Sequence, residues 1–273
     1  MNYYYKIIYI FFLIYYYKYK NNEKKENKIM NYEINNNFSY YVKSLKKVVY
    51  TVLIGNYDNI HSVIKENGYD YYLFTDQNIE NGTLNWTIFN VEKNKYSNRL
   101  DRIKTQRFYK THPHLFFKNY DLSIYFDATY ECKGKLDEFL IRILSPSFSI
   151  YILEHPSINS INNEFEAVIT FKKETMNNII PIKNRYNKEK FPDNNGHAET
   201  CLIIRKHKEL NCINLMEDWF FEIQHNSHRD QLSFNYILWK SGYKIVKYIP
   251  KKFTELYFKQ KLFHLMNEEF KNI

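Results

Sequence analysis

The chain has few of the residues that staple or ligate a fold. Its three cysteines, Cys132, Cys201 and Cys212, form no CxxC pair, which excludes both a disulfide scaffold and a zinc framework. Three small buried side chains are expected instead. There is no zinc-finger spacing, no RNP-like aromatic pattern and no continuous basic helix, so nucleic acid is not the expected partner. The excess of 39 Lys and Arg over 30 Asp and Glu, a net charge of +9, then points to an acidic membrane surface or a small phosphorylated ligand. No internal repeat is visible. Sequons at Asn37, Asn81 and Asn85 are what an Asn-rich chain produces by chance.

A long hydrophobic run is missing as well. Residues 7–17, IIYIFFLIYYY, fall short of the roughly 20 apolar residues of a spanning helix. Lys6 before the run and Lys18 and Lys20 after it set no inside–outside asymmetry. Residues 1–17 read as a hydrophobic segment of signal-anchor type, which implies membrane association through the N-terminus. Residues 18–46 are polar, rich in Asn, Lys and Glu, and without periodicity, which predicts a linker. The folded domain is expected over 47–273.

Aromatic residues are abundant, with 27 Tyr and 21 Phe, and supply ample core. From Lys47 onward, strand-like and helix-like patterns alternate. KVVYTVLIG (47–55), YDYYLFTD (69–76), WTIFNV (86–91), YDLSIYFDAT (120–129), FSIYILEHP (148–156), AETCLIIRK (198–206) and YKIVKYIP (243–250) read as strands. Residues 97–112, 135–144, 209–224 and 228–242 read as helices, and Pro113 stops the first. This alternation predicts an α/β domain with a mostly parallel sheet. In such sheets ligands sit at the carboxyl ends of the strands. The residues there are Gly55, Tyr57 and Asp58, then Thr75 and Asp76, then Asp127 and Thr129. Any one strand-end Asp is an ordinary turn residue; three on one edge suggest a site.

The segments YTVLIGNYD, LFTD, RFYKTHPH, SIYFDAT, EHP, EFEAV, GHAET and RDQLSFNYILWK occur in an order that resembles the glycosyltransferase-like family of plant mucilage and turgor-regulation proteins. The resemblance runs from about Val48 to Lys240. More distantly the layout is similar to the glycogenin and galactosyltransferase group, with Asp127, Asn194–Asn195, Asp230–Gln231 and Asn235 in the matching places. The implied fold is GT-A-like, and the implied activity is sugar transfer from a nucleotide-sugar donor, UDP-linked, to a glycan or glycoconjugate acceptor. Two departures stand out. The usual DxD motif reads Asp127-Ala128-Thr129, without its second carboxylate, and no Arg follows His155-Pro156.

The resemblance directs each candidate to a role. Tyr50, Thr51, Gly55, Tyr57 and Asp58 lie where a base would lodge, and Asp76 where ribose or uracil would bond. Arg107 and Lys110 share a helix face with Arg99 and suit a diphosphate. Asp127 is the ligand for Mn²⁺ or Mg²⁺, hard ions that also take phosphate oxygens, with His264 as a further ligand. Glu199, Arg229, Asp230 and Gln231 are placed around the sugar and the acceptor hydroxyl as catalytic residues. His155, Glu166 and Trp219 match the family without a derivable role. Two other readings compete: a sugar-phosphate nucleotidyltransferase, for which GNYD lacks the Gly-rich basic signature, and a non-catalytic carbohydrate- or membrane-associated protein with a decayed site.

Overall fold

The computed structural model describes residues 36–55, 60–93 and 98–261. The chain divides into residues 1–36 and 37–273, and the description below concerns the second unit. The hydrophobic segment 1–17 lies outside the described residues, among which no helix is long and apolar enough to cross a membrane.

Helix α1 (Asn36–Ser44) leads into strand β1 (Lys47–Leu53), all seven of whose residues are buried. Strands β2 (Tyr69–Thr75) and β3 (Thr87–Asn90) follow, then helices α2 (Arg99–Thr111) and α3 (Pro113–Phe116), and strands β4 (Leu122–Phe126) and β5 (Tyr130–Cys132). Next come α4 (Leu136–Ile143), β6 (Ile150–Glu154), α5 (Ile161–Thr170), α6 (Met176–Lys188) and β7 (Ala198–Arg205). Helices α7 (Leu210–His225) and α8 (Asp230–Ser241), strand β8 (Val246–Pro250), helix α9 (Lys251–Thr254) and strand β9 (Phe258–Gln260) complete the described chain.

Seven strands form one sheet in the order β3-β2-β1-β4-β7-β6-β8, and β5 pairs with β9 in a small second sheet. Strands β1 to β4 are mutually parallel, as are β6 and β8, while β7 runs antiparallel to both its neighbours. The two-residue period of β1 feeds both sides. Val48, Tyr50 and Val52 enter one core, with residues of α5 to α8, and Val49 and Leu53 enter the other, with α4. Helices therefore cover both faces, as buried parallel strands require.

The reversal of β7 places the site. Its first residues, not its last, lie at the carboxyl ends of β4 and β6: Asp127 N–H donates to Cys201 O at 2.9 Å, and Glu199 stands opposite Leu153. Side chains that begin β7 thus share an edge with side chains that end β4.

Two expectations change. Residues 36–44, at the end of the expected linker, form a helix whose Val42 is fully buried in the second core. Lys47 fastens it, donating from Nζ to Val42 O at 2.9 Å and pairing with Asp137 at 3.3 Å. A short helix with one apolar stripe inside a polar run gives little periodic signal. Helices α5 and α6 fill a stretch to which the sequence reading gave no structure. Ser160 caps α5 by accepting from Asn163 N–H at 3.1 Å. In α6, Pro181 sits inside the helix and masks the stripe of Ile179, Ile182 and Tyr186 that packs on the core.

A chain beginning at Ser44 is expected to be less stable than one beginning at Lys18 by about 2 kcal/mol from the lost burial of Val42 alone. Urea titration of the two checks this, and coincident midpoints would show that α1 contributes nothing.

Candidate active site

The site is assembled by helix α2, the end of β4, the start of β7 and the start of α8. Asn98 opens α2 by accepting from Asp101 N–H at 3.0 Å. At its other end, Tyr50 and Arg205 hold the last turn. Both donate to the carbonyl of Lys110 at 2.8 Å, and Arg205 also donates to the Tyr50 hydroxyl. A guanidinium at a helix C-terminus is favourable with the helix dipole. The backbone of Lys110 is thereby fixed, and its side chain is aimed at α8.

Lys110 has 0% of its surface exposed and Asp230 3%. Lys110 Nζ lies 2.6 Å from Asp230 Oδ2, and Thr200 donates to the same oxygen at 2.9 Å. Arg107 reaches the other oxygen, Oδ1, at 3.2 Å. Burial by itself raises the Asp230 pKa, but Arg107, Lys110 and Arg229 outweigh it and hold the carboxyl well below its usual range. Asp230 is therefore an anion at any physiological pH. The ammonium of Lys110 also lies 3.6 Å from Asp127 Oδ1, whose side chain is 32% exposed.

A second path joins the same groups. Arg107 donates to Gln106 Oε1 at 2.7 Å, Gln106 donates to the Tyr125 hydroxyl at 2.8 Å, and Tyr125 donates to Asp127. The carboxylates that end β4 and begin α8 are thus linked through α2 by two routes. On β7, Glu199 Oε1 pairs with Lys251 at 2.8 Å, while its Oε2 is buried without a hydrogen-bond partner among the described residues. Behind it Asn235 accepts from Ala198 N–H at 3.0 Å and donates to Asn195 O at 3.2 Å, tying the approach to β7 onto α8.

At the opposite end of the edge, Gly55 turns with a φ of 86°, in the left-handed region that favours glycine. Its N–H donates to Asp76 Oδ1 at 2.9 Å, and Gln77 donates to its carbonyl at 2.9 Å. His155 is held neutral: burial and the neighbouring His197 push its pKa down to about 4, and its Nδ1 accepts from Ile158 N–H at 2.9 Å.

The structure brings together Arg107, Lys110, Asp127 and Asp230, and sets Glu199, Gly55 and Asp76 on the same sheet edge; Arg229 and the half-buried Gln231 adjoin Asp230 in the chain. It corrects three assignments. Tyr50 and Thr51 are buried inside β1, so neither meets a base; Tyr50 instead braces α2, and burial raises its pKa to about 12. Lys110, wholly enclosed, is a counter-ion of Asp230 and not a surface ligand for a diphosphate. Tyr57, Asp58 and His264 lie outside the described residues. Gln106, Tyr125, Thr200 and Arg205 were missed. Alternation puts Tyr125 on the face of Tyr50, but no local pattern says that its hydroxyl reaches Asp127.

Asp127 fits a metal only in company. Among the described residues no three His, Cys, Asp or Glu side chains could hold an ion by themselves. One part-exposed carboxylate suits Mg²⁺ or Mn²⁺ that takes its other ligands from substrate phosphates and water.

Residues 18–267 match the TOD1/MUCI70 glycosyltransferase-like domain family. No curated protein matches the chain. Among solved structures, the apo form of the bifunctional glycosyltransferase WbbM aligns at 12% identity and a TM-score of 0.44 over 76% of this chain. This chain spans 39% of the length of that protein. Apo mouse xyloside xylosyltransferase 1 aligns at 10% identity and a TM-score of 0.43, over 74% of this chain and 85% of that one.

Removing Asp230 should leave Lys110 buried without its partner. Asp230→Asn is expected to cost about 3–5 kcal/mol in stability, the usual result of breaking a buried pair. Adding Lys110→Met should restore a large part of it. A double-mutant cycle by urea denaturation measures the coupling; additive losses would show that the pair is not coupled.

Proposed function

The chain belongs to the TOD1/MUCI70 glycosyltransferase-like family, and on that premise we propose that it transfers a sugar from a UDP-linked donor to a glycan or glycoconjugate hydroxyl. The observation that supports this reading is the meeting of Asp127 and Asp230 with Arg107 and Lys110 at the sheet edge on which β7 begins. That edge is where α/β sheets bind nucleotides.

In this reading the base and ribose lie over the Gly55 turn and Asp76, and the diphosphate lies between Arg107 and Asp127. The sugar faces Asp230, Gln231 and Glu199. Departure of a nucleoside diphosphate builds negative charge on phosphate and positive charge at the anomeric carbon. Arg107 faces the first. Asp230, kept ionised by its cations, faces the second. Groups already bonded into a fixed network need not reorganise as the charge develops, which is the chief source of electrostatic catalysis. The free, buried Oε2 of Glu199 is an acceptor that a sugar hydroxyl would satisfy, since buried polar atoms are nearly always paired. Asp127 would hold Mn²⁺ or Mg²⁺ jointly with the donor phosphates. When bound, such an ion acts as a Lewis acid on the leaving group.

UDP is expected to bind in calorimetry more tightly than GDP or ADP, and Asp127→Ala to lower turnover of the UDP-sugar by about 10²–10³-fold. Because Asp127 is part-exposed, the substitution should change stability by no more than about 1 kcal/mol. Equal binding of the three nucleotides would remove the UDP assignment, and wild-type turnover by Asp127→Ala would remove Asp127 from the site.

A further inference from the structure

Between the last turn of α8 and strand β8 lies a cleft of about 280 Å³, the size of the smallest ligand sites. Trp239, Tyr243, Tyr248, Asn195 and Lys244 are among its walls, which include no carboxylate. Strand β8 is the outer strand of the large sheet, so no further strand closes over this side.

The aromatic walls are held from behind. The ring of Trp239 packs against Phe191 and Tyr236, with centroids 5.4 and 6.2 Å away. A ring already fixed loses little freedom when a ligand stacks on it.

The polar groups of the cleft follow from one buried amide. Asn235 is 1% exposed, and its Oδ1 accepts from Ala198 N–H at 3.0 Å, which sets the orientation of the side chain. Its Nδ2 must therefore donate, and it does so to Asn195 O at 3.2 Å and to the Tyr248 hydroxyl at 2.7 Å. The oxygen of Tyr248 is thus an acceptor, and its own proton has no acceptor among the described residues. Burial raises the Tyr248 pKa to about 12, so that proton is retained. Trp86 and Trp219 donate their indole N–H to His61 O and Asp230 O. The Nε1–H of Trp239 and the side-chain amide of Asn195 donate to no described group.

The cleft therefore sets flat apolar ring faces beside unspent O–H and N–H donors. An apolar helix or an acyl chain would cover those donors without pairing them, which is costly. A cation would find no carboxylate, and Lys244 opposes it. A pyranose ring meets both demands, with C–H faces for the aromatic rings and hydroxyl oxygens around its rim for the donors. The position is also separate from the catalytic edge. Gln231 and Trp239 are eight residues apart on one helix, about 12 Å along its axis.

We propose that the cleft between α8 and β8 is a second, non-catalytic saccharide site. It holds an uncharged pyranose residue of a glycan chain against Trp239 and Tyr243, with the Tyr248 hydroxyl donating to it.

Tryptophan emission reads this cleft directly, because the other two of the three tryptophans, Trp86 and Trp219, are 2% and 0% exposed. The whole chain would be titrated, without UDP, with cellotetraose and with β-1,4-linked galactotetraose. At least one is expected to give a saturable change, half-complete near about 1 mM. Tyr248→Phe, which removes only the hydroxyl, should weaken binding about tenfold, a difference of about 1.4 kcal/mol. Asn195→Ala, altered in a loop, should weaken it severalfold and decides the matter if Tyr248→Phe does not fold. Absence of a saturable change with both tetrasaccharides up to about 10 mM, ten times the expected midpoint, overturns the site. So does binding that survives the substitutions or is displaced by UDP, which would put the saccharide elsewhere in the molecule. Shielding of Trp239 from iodide that grows with protein concentration, without saccharide, would make a second copy of the chain the occupant and also overturn the assignment. No arm depends on sugar transfer, so failure of the protein to bind UDP would count against that reading alone.

Discussion

The ion pair between Lys110 and Asp230 is the interaction on which the site depends. Both partners are withdrawn from water, where an unpaired charge is intolerable and a paired one is directional. The pair joins the last turn of α2 to the first turn of α8, and Thr200 adds β7 to the same oxygen. Three elements far apart in sequence are thereby set around one point at the sheet edge. Arg205 and Tyr50 hold the carbonyl of Lys110 from beneath, so the backbone that presents the ammonium is itself anchored on β1 and β7.

Antiparallel β7 is the second constraint. Had it run parallel to its neighbours, Ala198 and Glu199 would lie at the far edge and Arg205 at the ligand edge. As it runs, one strand delivers a carboxylate to the site at its start and a brace for α2 at its end. The same reversal puts Thr200 within reach of Asp230. Charge at the end of β4 is balanced by Lys110 and arranged through Tyr125, and negative charge is supplied again from β7 and α8.

Local patterns in the chain announced the parallel strands, the helix before Pro113 and the strand-end position of Asp127, because each depends on near neighbours. The two-residue period of β1 and the apolar run of β4 are properties of short segments. Helix α6 escaped because Pro181 obscures its stripe, and α1 because one buried Val in a polar run gives no period. Tyr50 was misread for a related reason: alternation assigns it a face of β1, but not whether that face meets a ligand or a helix. Its depth beneath α2 follows from Arg205 and the Lys110 carbonyl, neither of which is near it in the chain.

What the sequence by itself determined is the α/β alternation, the family and a list of candidate site residues. What only the tertiary structure decided is which of them meet and which are sealed away. A strand reads alike in either direction, so the reversal of β7 has no local signature. Lys110 and Asp230 are 120 residues apart, and a basic helix residue looks the same whether it faces water or a buried carboxylate. The physical reason is that burial of a charge is settled by its partner, and that partner is chosen by the packing of the whole sheet.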